Sequence, residues 1–150
     1  MTEFDEIIDL ALISVEDYRI RKLYNDNEEY FQSYCDGFLI RAALAFDKCR
    51  QSLEFNASER YFEANLTFEE KKILANLWVI EWYAKNNQDY AMYRQHLQNA
   101  GSFKNHSEAQ GLKEHSAYAD KLREEVDRQI VAYQLGNINF YMRFEGREDE

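Results

Sequence analysis

A chain of 150 residues with no proline and only five glycines has little with which to interrupt a helix. Proline removes a backbone donor and glycine supplies left-handed turns. Their scarcity argues against turn-dense small β folds, Pro-rich linkers and collagen repeats. The hydropathy pattern agrees. Phe4, Ile7, Ile8, Ala11, Leu12 and Val15 recur at the spacing of one helix face, with Thr2 as candidate N-cap. The polar stretch Asn25-Asp26-Asn27 interrupts that pattern, and Asp26 with Glu29 resembles a capping box. A second helix carries Phe31, Tyr34, Cys35, Phe38, Leu39, Ala42, Phe46, Cys49 and Leu53 along one stripe. On one helix, Cys35 and Cys49 lie about 21 Å apart, beyond the roughly 7 Å Cα separation a disulfide tolerates. Both read as small buried hydrophobes of a reducing compartment.

Residues 51–65 lose periodicity and read as a loop with a strand-like edge at Tyr61 and Phe62. Thr67-Phe68-Glu69-Glu70 is a T-x-x-E capping box opening a third helix. In that helix Ile73, Leu74, Leu77, Trp78, Val79, Ile80, Trp82 and Tyr83 leave almost no polar face, as in a central buried helix. This exceeds what one stripe of core demands, so Trp78 and Trp82 are expected at a contact with another subunit. A short helix is expected from Asp89 to Asn99, stopped by Gly101. Ser107 and Gln110 then cap a long helix ending at Leu135, with Gly136 beyond it and a stripe of Leu112, Ala119, Val126 and Tyr133. Its length is about 42 Å. From Asn137 the period becomes two, Ile138, Phe140, Met142 and Phe144 alternating with Asn139, Tyr141 and Arg143, a strand signature without a sheet of its own. The expected fold is all-α: a single bundle of four to five helices over residues 1–136, and an extended C-terminal arm over 137–150. That arm either folds back over the bundle or docks on a partner through Ile138, Phe140, Tyr141, Met142 and Phe144.

Net charge is −10, and the first 17 residues hold six acids and no base. Nucleic-acid affinity comes chiefly from clustered Lys and Arg, so tight DNA or RNA binding and docking on anionic membranes are disfavoured. No uncharged apolar run approaches the roughly 20 residues of a membrane span, and the acidic N-terminus is unlike a signal peptide. A soluble protein made inside the cell is expected. His96, His106 and His115 fit no zinc spacing, and no G-x-S-x-G, Walker A or G-x-G-x-x-G string occurs. No metal, cofactor or catalytic residue is assigned. Glu81, a carboxylate inside the apolar run, reads either as a catalytic acid or, preferably, as half of a structural ion pair with Arg41.

The stretch LTFEEKKILANLWVIEW (Leu66 to Trp82) resembles a pattern in small helical neck proteins of tailed bacteriophages, the head–tail connector, adaptor or head-completion proteins. FLIRAALAFDKCRQSL before it and GSFKNHSEAQGLKEH after it agree in order, so the resemblance covers residues 4 to 135; residues 51–65 and the tail carry none of it. The resemblance implies a structural virion component, made in the host cytoplasm and placed at the neck. It would form a ring, commonly twelvefold, joining the portal protein to a stopper or tail-completion protein after genome packaging. The ring would surround the DNA channel without binding DNA, which suits an acidic chain. Two other classes compete: a small acidic helical protein that inhibits a host or phage factor by mimicking nucleic acid, and an enzyme built on Glu81 and a histidine.

Overall fold

The computed structural model describes residues 1–15, 18–99 and 105–136. Five helices and a three-stranded miniature sheet follow in the order β1 (Thr2–Glu3), α1 (Phe4–Ile13), α2 (Tyr18–Asp26), α3 (Glu28–Ala45), β2 (Phe55–Asn56), β3 (Tyr61–Phe62), α4 (Phe68–Asn99) and α5 (Asn105–Leu135). The fold is the expected helical bundle with a long last helix. The expected arm, including Ile138, Phe140, Tyr141, Met142 and Phe144, lies outside the described residues.

Helix α4 is the axis of the molecule. On one side it packs against α1 and α3, and on the other it forms an antiparallel hairpin with α5. The hairpin register is set by Glu70 with Tyr133, Asn76 with Gln129, and Tyr83 with Tyr118. Between Ile73 and Tyr83 helix α4 is apolar nearly all round because two layers cover it there within one chain. Trp78 is 0% exposed and Trp82 3% exposed. The Trp78 ring meets Phe38 edge-on at 5.4 Å, and its indole N–H donates to the Cys35 carbonyl at 2.9 Å. The two tryptophans expected to meet another subunit are therefore core residues of this one.

Several expected boundaries move, each for a local reason. The separate short helix from Asp89 does not exist, because α4 runs unbroken for 32 residues, about 48 Å. Residues 84–89 lack an apolar stripe but contain no breaker, and they carry helix-supporting contacts. Lys85 pairs with Asp89 at 3.3 Å, and the Asn86 amide donates to the Trp82 carbonyl at 2.9 Å. Helix α5 begins at Asn105, ahead of the expected cap at Ser107. Helix α3 is capped by Asn27, whose side chain accepts the Tyr30 N–H at 3.0 Å, in place of Asp26. It ends at Ala45, so Cys49 and Leu53 belong to the loop that follows. Cys35 and Cys49 therefore do not share one helix, and both thiols are free. Burial pushes the Cys35 thiol up to about 12, as expected of a buried hydrophobe.

The sheet was half visible in the sequence at Tyr61 and Phe62. Its order is β1-β3-β2, with Thr2 opposite Phe62 and Phe55 opposite Phe62, both pairings antiparallel. Pairing with β3 turns Thr2 inward. Its hydroxyl donates to the Ala64 carbonyl at 3.0 Å and accepts the Leu66 N–H at 2.9 Å, so it holds the sheet instead of capping α1. Glu3 is the N-cap of α1, and the Glu6 carboxylate three residues on accepts its N–H at 3.1 Å. The hairpin between β2 and β3 closes through Arg60 at φ 59°, a left-handed conformation that costs a non-glycine residue about 1–2 kcal/mol. Arg60 is held there from two sides. Its guanidinium pairs with Asp5 on α1 at 2.5 Å and with Asp36 on α3 at 2.8 Å, fastening the sheet to both helices.

Candidate functional site

The most concentrated polar chemistry among the described residues is buried where the start of α4 meets the end of α5. The Thr67–Glu70 capping box forms as the sequence predicts. The Glu70 carboxylate accepts the Thr67 N–H at 2.8 Å, and the Thr67 hydroxyl accepts the Glu70 N–H at 3.3 Å. Glu70 does more than cap. It is 2% exposed, accepts the Tyr133 hydroxyl at 2.7 Å through one oxygen, and accepts the Gln51 amide at 2.6 Å through the other. Burial pushes its carboxyl up, but hydrogen bonds from Thr67, Tyr133 and Gln51 outweigh burial and hold it below the usual carboxylate range. Tyr133 shifts the opposite way. Burial raises its phenol, and the adjacent carboxylate raises it further, so it stays a donor.

The loop after α3 completes the cluster. The Arg50 N–H donates to the Tyr133 hydroxyl at 2.8 Å, the Arg50 guanidinium lies 4.1 Å from the Tyr133 ring centroid, and it also donates to the Tyr133 carbonyl. Gln51 additionally reaches the Asn65 carbonyl at 3.0 Å. Phe46 packs on the Tyr133 ring at 5.5 Å. With both carboxylate oxygens occupied by protein donors, the cluster serves to join three segments of chain. Sequence reasoning found Thr67, Glu70 and Tyr133 separately, the first two as a cap and the last as part of a stripe. It had no signal that they meet, and none for Arg50.

The other candidates separate cleanly. Glu81 pairs with Arg41 at 3.0 Å, the structural alternative. The His115 ring lies 5.7 Å from that of Tyr83. The side chains of His96, His106 and Leu112 lie outside the described ones. Among the described residues no group of three His, Cys, Asp or Glu side chains is placed to hold a metal ion, and no helix is long and apolar enough to cross a membrane. A groove of about 150 Å³ between α1 and α3 has Ile8, Leu12 and Phe31 among its apolar residues and Asp5, Asp9 and Glu28 among its acidic ones. Compared with known protein families, curated proteins and solved structures, the chain matches none.

Proposed function

We propose that this chain is a head–tail connector protein of a tailed-bacteriophage neck, with a structural rather than catalytic role. In the virion it forms a ring, twelvefold by the resemblance, between the portal protein and a stopper or tail-completion protein. DNA passes through the ring without specific binding. The observation that carries the reading is the string from Leu66 to Trp82. Its residues are those on which the fold depends: the Thr67–Glu70 cap, the buried Glu70 acceptor, and Leu74, Trp78 and Trp82 in the core. A resemblance concentrated there is a resemblance in the determinants of the central helix. The −10 charge supports a channel wall that does not hold DNA. The chain covers Trp78 and Trp82 itself, so in this reading neither meets another copy, and the partner-binding role falls to the arm with Ile138, Phe140, Tyr141, Met142 and Phe144.

Removing residues 137–150 is expected to abolish co-sedimentation with purified portal rings while leaving the far-ultraviolet circular dichroism per helical residue unchanged. Undiminished co-sedimentation of the truncated chain would remove the arm from the account.

A further inference from the structure

Gly37 stands in the middle of α3, in ordinary helical backbone. A glycine there costs helix stability relative to alanine, because it has more freedom to lose. Nothing within the described chain requires it: a Cβ built on Gly37 would meet no atom within 4 Å. Tyr30, Ser33, Arg41 and Leu44 share its face of the helix, seven and four residues to either side. That face is opposite the core stripe of Cys35, Leu39 and Ala42. Tyr30 is 58% exposed and Leu44 76% exposed. No acid of α3 lies on the face between them, in a chain that holds 28. Asp36 is turned aside and pairs with Arg60 at 2.8 Å. The face is thus symmetric in spacing about Gly37 but opposite in charge at its two ends. The acidic first turn, Glu28 and Glu29, stands at one end, and Arg41 lies toward the other.

We infer that this face of α3 is a self-association surface: two copies of the chain pair antiparallel through Tyr30, Gly37 and Leu44 to form a two-fold dimer. A two-fold contact uses the same patch on both copies, so the patch must complement itself. This one does. With the two Gly37 positions crossing, Tyr30 of each copy meets Leu44 of the other, and the missing side chains let the backbones close at the centre. The acidic turn of each α3 then lies toward the Arg41 half of its mate, and the helix dipoles oppose. A parallel pairing would set acid against acid. The inference goes beyond the connector reading and stands without it.

The test is sedimentation equilibrium of the full chain over a concentration series, with circular dichroism of each variant to show that it folds. The unaltered chain is expected to pass from one copy to two as concentration rises. Leu44→Asp should weaken that pairing about a hundredfold, because a change in a two-fold contact acts twice. Gly37→Leu should weaken it as much by holding the helices apart, yet leave the single copy at least as stable, since leucine favours helix over glycine. Ile13→Asp, at a position 77% exposed on α1 and off this face, should pair as the unaltered chain does. Orientation is read by oxidative cross-linking. Tyr30→Cys mixed with Leu44→Cys should form a bridged pair, and Tyr30→Cys alone should not, its two copies lying about 21 Å apart. A chain that remains a single copy at every concentration would overturn the inference. So would a pair that survives Gly37→Leu and Leu44→Asp, or bridging by Tyr30→Cys alone.

Discussion

Replacing Trp78 by alanine is expected to lower the unfolding free energy by about 4 kcal/mol, read from urea denaturation followed by circular dichroism. The side chain is fully buried between α3 and α4. Its removal leaves a cavity lined by Phe38 and its neighbours, and little slack exists on a helix covered from both sides. Trp78→Phe keeps most of the volume and loses the 2.9 Å hydrogen bond to the Cys35 carbonyl. That carbonyl also belongs to the α3 ladder, so the expected cost is nearer 1–2 kcal/mol. The loss from Trp78→Ala should be the same at low and high protein concentration, because the ring is covered within one chain. A loss that appears only where copies associate, or one below about 1 kcal/mol, would contradict the packing described.

Replacing Glu70 by alanine is expected to cost about 3 kcal/mol, since it removes the acceptor of the Thr67 N–H and of the buried Tyr133 hydroxyl and leaves the Gln51 amide only the Asn65 carbonyl. Glu70→Gln keeps the volume but turns an amide N–H₂ toward groups that are themselves donors, and so should recover only part of the loss. The pH dependence has a definite sign. The native Glu70 carboxyl titrates below its unfolded value, so at pH values between the two the unfolded chain binds more protons. Its stabilisation is therefore complete above the unfolded value of about 4.3 and is lost as pH falls through the native one. Glu6 acts in the same direction, held low by the Lys71 ammonium at 2.6 Å and by the Glu3 N–H, though it is half exposed and contributes less. Urea midpoints measured from pH 7 to pH 3 should fall steeply below about pH 4.5. They should fall less in Glu70→Gln. An identical acid slope in the variant would place the carboxylate's influence elsewhere.

What could be read directly from the sequence was whatever is decided within a few residues or along one helix face. The Thr67–Glu70 box is four residues of local chemistry, and it formed as read. Ala119, Val126 and Tyr133 repeat every seven residues, and all three are buried. Gly136 ends α5 where expected. The larger misreadings come from a partner far along the chain, the smaller ones from helix ends set locally. Thr2 looked like a cap because its true partners are Ala64 and Leu66. Helix α4 looked over-supplied with apolar residues because periodicity on one helix cannot reveal that two layers cover it. Its polar stretch at 85–89 looked like a break because a stripe is needed only where something packs, whereas a helix continues until something stops it. Arg60 and Arg50 carried no signal at all. Each is a lone arginine in an aperiodic loop, given meaning by Asp5 and Asp36 in one case and by Tyr133 in the other.

Electron microscopy of purified portal rings, imaged alone and after mixing with an excess of this protein, bears most directly on the connector role. The account predicts an added coaxial ring of density on one side of the portal, with the symmetry of the copies bound. Portal rings that look the same with and without the protein, while the chain stays a monomer in the mixture, would contradict it.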